Sequence, residues 1–130
     1  MRKAPLAVLL MLAGASPAMA TDAPVAAAQW VQWQQAGHAP LLLDVRHTDE
    51  FHDGHMAGAL NIPVGQLASR VGVLGVPRGH EIVVYCASGR RAARAQDTLQ
   101  SLGYTHVRLL DGSLSAWRQW NLPLVRERAS

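Results

Sequence analysis

Residues Glu81-Ile82-Val83-Val84-Tyr85 are β-branched and aromatic, and the chain runs from them directly into Cys86-Ala87-Ser88-Gly89-Arg90-Arg91. A run so apolar offers no polar face to water, so it predicts a strand covered on both sides. Beyond the turn, Ala92, Ala93, Ala95, Leu99 and Leu102 fall on one face of a helix that Gly103 closes. A buried strand passing through a tight turn into an amphipathic helix is one arm of a βαβ unit. It restricts the chain to folds in which helices cover a sheet on both faces.

The remaining segments repeat the alternation. Val25 to Gln35 predicts a helix, with Trp30 and Trp33 on a shared face, ended by Gly37 and Pro40. Leu41-Leu42-Leu43-Asp44-Val45 predicts a second buried strand. Thr48 with Asp49 and Glu50 predicts a short capped helix that Gly54 stops. Ala59 to Ile62 reads as a short strand before Pro63, Gln66 to Arg70 as helical, and Gly75 to Gly79 as loop. Val107 to Leu110 predicts another strand, Asp111-Gly112 a turn, and Leu114 to Trp120 a last helix holding Trp117 and Trp120 in the core. No two-residue hairpin joins the strong strands, so the reading is a single α/β domain with a mainly parallel central sheet flanked by helices. At 130 residues the chain has room for one such core.

Residues 1–20 read as an export leader. Arg2 and Lys3 are its positive end, Leu6 to Ala13 its apolar stretch, and Ala18-Met19-Ala20 a cleavage site before Thr21. Gly14, Ser16 and Pro17 interrupt the apolar stretch well short of the ~18 residues a membrane span needs. The expectation is a periplasmic protein with no stable membrane span after cleavage. Removing the leader leaves ten arginines against nine acids, so the formal +3 falls to +1. With no alternation of aromatic and basic residues, nucleic acid is not an expected partner.

The single cysteine excludes an intrachain disulfide and any multi-cysteine metal site, so no metal and no cofactor are expected. A thiol becomes a nucleophile when ionised, and a helix N-terminus or nearby guanidinium groups favour that form. Cys86 is therefore the candidate nucleophile. Ala87, Ser88, Gly89, Arg90 and Arg91 are the candidate anion-binding loop, their backbone N–H groups turned inward at the sulfur. Cysteine phosphatases use C-x5-R to clamp a phosphoryl group. Here the sixth residue after Cys86 is Ala92, and Arg91 falls one position early. The tighter loop suits a single sulfur atom.

These residues resemble the rhodanese-like domain family across 36–124. Leu43-Asp44-Val45-Arg46 is similar to its opening strand, and Glu50-Phe51, Gly54-His55-Met56 and Gly58 to Pro63 follow in its order. Tyr85-Cys86 to Arg91 is similar to its active-site loop, and Asp111-Gly112 with Ala116-Trp117 to its closing segment. The family often has Ser where this chain has Ala92, and a Gly pair where it has Asp111-Gly112. The short exported form most resembles periplasmic phage-shock-type members. On this reading 21–35 is an N-terminal helical segment and 125–130 a tail.

The resemblance implies a thiosulfate sulfurtransferase with a Cys86 persulfide. Sulfur would pass from thiosulfate or a persulfide donor to cyanide, a thiol or a protein acceptor. Arg90 and Arg91 are candidates for docking the sulfonate, and Arg94 is a bystander. Asp44 is expected either to hydrogen-bond the cysteine loop or to cap a turn. Arg46 and Glu50, four residues apart, are expected to form an ion pair in the pocket wall. A sulfur-carrier module for a partner protein, and an arsenate reductase or phosphatase, are the alternatives. His52 and His55 stand three apart, but Gly54 breaks the helix that would align them, so His55 reads as a structural turn residue.

Overall fold

A computed structural model describes residues 23–127; the expected leader lies outside them. Helix α1 (Ala27–Ala36) leads into strand β1 (Leu41–Asp44), helix α2 (Thr48–Asp53) and strand β2 (Leu60–Asn61). The short helix α3 (Leu67–Arg70), between two 3-10 turns, precedes strand β3 (Ile82–Tyr85), helix α4 (Arg90–Ser101), strand β4 (Val107–Leu109) and helix α5 (Ser113–Gln119). The strands form one sheet in the order β2-β1-β3-β4, and every pair is parallel.

Alternation along the strands divides the core in two. Leu43, Ile82 and Val84 face Leu67, Ala92, Ala95 and Leu99 on one side of the sheet. Leu42, Val83 and Tyr85 face Trp30, Leu114 and Trp117 on the other. Both faces are thus dry, which explains why β1 and β3 are almost uninterrupted apolar runs.

Several elements differ from their expected bounds. The first helix starts at Ala27, because Val25 is drawn into a parallel bridge with Leu110: its N–H donates to Leu109 O at 2.8 Å, and Asp111 N–H donates to Val25 O at 2.8 Å. The helical segment and the sheet therefore share one core, to which Val25, Ala27 and Trp30 contribute. In α2 the capping position is His47 rather than Thr48, and the Glu50 carboxylate accepts the His47 backbone N–H at 3.1 Å. Helix α5 begins at Ser113 and ends one residue early, leaving Trp120 73% exposed instead of in the core. Among the described residues no helix is long and apolar enough to cross a membrane.

The chain lays down β1 and then β2 on one side of it, then crosses to place β3 on the other. The carboxyl ends of β1 and β3 therefore flank the point where winding reverses, where open α/β sheets leave a crevice for ligands. Asp44 ends one of these strands and Cys86 follows the other.

Candidate active site

The expected loop is shorter than its sequence suggests, because α4 begins at Arg90 and only Ala87, Ser88 and Gly89 separate β3's extension from the helix. Gly89 occupies the capping position with φ +121°, a conformation open to glycine and strained for other residues. It has no side chain with which to cap the helix. The Cys86 sulfur takes that role: Gly89 N–H donates to Sγ at 3.0 Å and Ala92 N–H at 3.4 Å. These are N–H groups a helix leaves without internal partners, and they converge where a sulfur anion would need them. Of the loop expected to turn its N–H groups inward, Gly89 is the residue whose N–H reaches Sγ, and Ala92 beyond it adds the second. Ala92 contributes through its backbone while its methyl joins the core.

Cys86 is 1% exposed, so its sulfur lies at the floor of the loop. The opposite wall comes from the segment after β4, in which the sequence reading singled out Asp111-Gly112 and Ala116-Trp117 but not Ser113 or Ser115. Ser113 Oγ accepts the Cys86 N–H at 3.2 Å and lies 4.0 Å from Sγ. Leu114 N–H donates to Cys86 O at 3.1 Å, and Ser115 donates to Ala87 O through N–H (3.0 Å) and Oγ–H (3.1 Å). The sequence signal was present: hydroxyl residues after a turn that ends the strand next to β3 must lie at the same edge as the cysteine. Ser113 reaches its position with φ +50°.

The acidic residues pair differently from expectation. The anticipated Arg46–Glu50 pair does not form, because β1 and α2 present the two side chains to different partners. Asp44, fully buried, accepts from Arg46 Nε (3.0 Å), Arg46 Nη2 (2.7 Å) and the Arg46 backbone N–H (2.9 Å), instead of bonding to the cysteine loop. Arg46 also donates to Gly54 O at 2.8 Å, which ties the end of β1 to the end of α2. Of the two roles open to Asp44, the turn cap is the one observed.

Glu50 reaches across to the loop and accepts a two-pronged contact from Arg91 (Oε1–Nη1 2.8 Å, Oε2–Nη2 3.1 Å). The Arg91 hydrogen bond holds the Glu50 carboxyl down to about 2, helped by the His47 N–H and against the opposing effect of burial. In return Glu50 raises the Arg91 pKa. A cation in the first turn of a helix opposes the helix dipole, and Glu50 offsets that cost. Arg90 is exposed and makes no hydrogen bond or ion pair with another described residue. Ser88 is exposed and Ala87 half-buried.

A cleft of about 540 Å³ adjoins the loop, with Arg46, Glu50, Asp53, Ala87, Arg118 and Arg126 on its walls. His55, expected as a turn residue, is buried with its ring stacked on Phe51 at 3.7 Å, and its Nδ1 lies 2.8 Å from Phe51 O.

A helix-capped cysteine at the crevice of a parallel α/β sheet is the arrangement that the family resemblance anticipated, and residues 27–119 match the rhodanese-like domain family. The chain belongs to that family. It is similar to the thiosulfate sulfurtransferase PspE of Escherichia coli, 34% identical over 65 residues that span 50% of this chain and 62% of the relative. It is also similar to a sulfurtransferase of Allochromatium vinosum, 34% identical over 85 residues covering 65% of this chain and 78% of the relative. Among solved structures, a human single-domain sulfurtransferase superposes with a TM-score of 0.66 at 29% identity, covering 74% of this chain and 95% of the other. The rhodanese-like family and these relatives support sulfur transfer in general as the chemistry of the chain.

Proposed function

We propose that the chain carries sulfur from thiosulfate, or from a persulfide donor, to cyanide or a thiol through a Cys86 persulfide. The observation that carries this reading is the convergence of the Gly89 and Ala92 N–H groups on Cys86 Sγ at the start of α4. The Cys86 thiolate attacks the outer sulfur of thiosulfate; a new S–S bond forms, and the old one breaks with its electron pair leaving on sulfite. The terminal sulfur of the persulfide then holds the negative charge. An acceptor thiolate or cyanide takes that sulfur, and the bond to Cys86 breaks to return the thiolate.

The residues divide this work by position. The helix dipole and the two N–H groups favour the sulfur anion at each stage. Arg91 is committed to Glu50, so Arg90, exposed at the rim, is the guanidinium open to a sulfonate. Three residues separate Cys86 from α4 and Arg91 falls one position short of the C-x5-R arginine, which supports transfer of a sulfur over transfer of a phosphoryl group. The leader reading at 1–20 supports export to the periplasm, checked by finding Thr21 as the N-terminus of the protein recovered from that compartment.

Thiosulfate should add ~32 Da to the intact protein, at Cys86, and cyanide should remove it as thiocyanate. Cys86→Ala should lose both. A wild-type protein that forms no adduct, or that hydrolyses an aryl phosphate in a Cys86-dependent way, refutes the reading. An adduct that forms but drains to no small acceptor places the chain as a carrier instead.

A further inference from the structure

The chain from Val125 to Glu127 is held mainly by polar contacts. Just before it, Trp117 Nε1–H donates to Pro123 O at 2.9 Å, and Leu124 packs against the core that holds Trp30 and Trp117. Beyond Leu124 that burial ends: Val125 is 41% exposed, and Arg126 and Glu127 are exposed. Three backbone bonds join the segment to the end of α2: His55 N–H to Val125 O at 2.9 Å, Val125 N–H to His55 O at 2.7 Å, and Glu127 N–H to His52 O at 3.1 Å. An element with so little apolar burial opens without unfolding the domain, so a small free energy decides whether it is closed.

The Glu127 carboxylate supplies that free energy. Its Oε2 lies 3.3 Å from His52 Nδ1 and its Oε1 3.5 Å from His55 Nε2. His55 decides the sign. Its Nδ1 lies 2.8 Å from Phe51 O, and a carbonyl only accepts, so Nδ1 carries the hydrogen and Nε2 of the neutral ring is a bare lone pair. A lone pair facing a carboxylate is repelled, whereas a proton on Nε2 turns the same contact into an ion pair. Burial and a parallel stack on Phe51, with ring centroids 3.7 Å apart, hold the imidazole in this orientation. The stack also sets the imidazolium over a phenyl face, which favours the cation. His52, half-exposed, is free to turn an N–H toward the other carboxylate oxygen.

The remaining charges around the contact are His47, Asp49, Glu50 and Asp53 on α2, Arg46 after β1, Arg118 on α5 and Arg126 in the segment itself. Glu50 is paired with Arg91 and Arg46 with Asp44. From β3 comes the Tyr85 phenol, which accepts the Met56 N–H and which burial pushes up, so it stays neutral. Among the described residues no carboxylate other than Glu127 lies within ion-pair distance of His52 or His55.

We propose that residues 125–127 are a proton-operated strap, which closes on α2 as His55 and His52 take up protons from solvent in mild acid and loosens as they release them. Closing brings a carboxylate to two imidazoles, so the closed form binds protons more readily than the open one. Lowering the pH through the imidazole range, about pH 5–8, therefore drives closure, while carboxylates stay ionised. Arg126, between the two paired residues, lines the cleft beside the cysteine loop only when the strap is closed, so opening removes one wall of that cleft. The inference goes beyond the sulfur-transfer reading and does not depend on it.

Hydrogen exchange on the full chain tests it, read as protection of the Val125 and Glu127 amides relative to the unstructured-chain rate at each pH. Protection should rise about fivefold or more from about pH 8 to about pH 5.5. The Val25 amide, bonded to Leu109 O in the core, should show no such rise. Glu127→Gln keeps the shape of an exposed side chain and removes its charge, so it should leave protection of the strap independent of pH. His52→Gln removes the half-exposed arm and should keep the greater part of the response, which belongs to buried His55. A pH-independent wild-type strap, an unchanged response in Glu127→Gln, or a Val25 amide that follows the same course overturns the proposal.

Discussion

Replacing Glu50 by Gln removes the charge that holds Arg91 against the start of α4, and the structure sets the size of the effect. The carboxyl falls from its ordinary 4.5 to about 2; at ~1.36 kcal/mol per pH unit this corresponds to about 3.4 kcal/mol as an upper bound. The two side chains are 28% and 35% exposed, so water and salt screen the pair. A two-pronged contact of that exposure is worth about 1 kcal/mol at pH 7. For a domain of this size the loss lowers Tm by about 4 °C. Its dependence on pH follows from the direction of the Glu50 displacement. A depressed carboxyl contributes its full stabilisation above 4.5 and loses it as the pH falls through about 2. Urea unfolding of wild type and Glu50→Gln at a series of pH values should show a gap of about 1 kcal/mol at pH 7 that closes between pH 4.5 and 2. A gap that stays constant across that range refutes the assignment of the stabilisation to the Glu50 charge. In the same variant Arg91 loses its anchor, so the donor half-reaction, read as the rate of mass gain with thiosulfate, should change along with stability.

Three further substitutions test the frame around the cysteine. Asp44→Ala leaves the Arg46 guanidinium buried without a counter-ion and should cost about 3–5 kcal/mol in urea unfolding; a cost below about 1 kcal/mol would show that Gly54 O and water suffice for Arg46. Ser113→Ala strands the buried Cys86 N–H and should cost about 1–3 kcal/mol, with a slower reaction of Cys86 toward thiosulfate in the same protein. Gly112→Ala would place a methyl carbon 2.5 Å from Ala116 Cβ at φ +73°, so it should destabilise by more than the ~1 kcal/mol of a simple conformational penalty. An unchanged thermal midpoint would refute the turn geometry.

What could be read in the sequence was what depends on neighbours along the chain. The apolar runs of β1 and β3 announced strands covered on both faces, and Gly37 and Gly103 marked the ends of α1 and α4; Gly37 has φ +76° and Gly103 φ +97°. Cys86 stood out because strand, cysteine, glycine turn and helix are contiguous, and placing the thiol at a helix start needs no information from elsewhere. Element bounds shifted where a long-range contact competed with local preference. Val25 left its helix to pair with Leu110, and Trp120 lies outside α5 and exposed, because the chain turns at Asn121 with φ +54°.

The partners of the charged residues were decided by the tertiary structure. Four residues apart in sequence, Arg46 and Glu50 looked like a pair. The sheet instead turned Arg46 back onto Asp44, and α2 carried Glu50 to an arginine forty-one residues away. Ion pairing depends on which side chains arrive within about 3 Å of each other, and sequence spacing fixes that only inside one regular element. The same reason hid Ser113, Arg118 and Arg126. Ser113 meets the Cys86 loop because β4 lies beside β3, and Arg118 and Arg126 line the neighbouring cleft because α5 follows β4 and Val125 pairs with His55; strand order and long-range pairing, not spacing along the chain, decide both. The sequence alone thus determined the candidate nucleophile and the type of fold that presents it, whereas only the packing of distant segments decided which groups surround it.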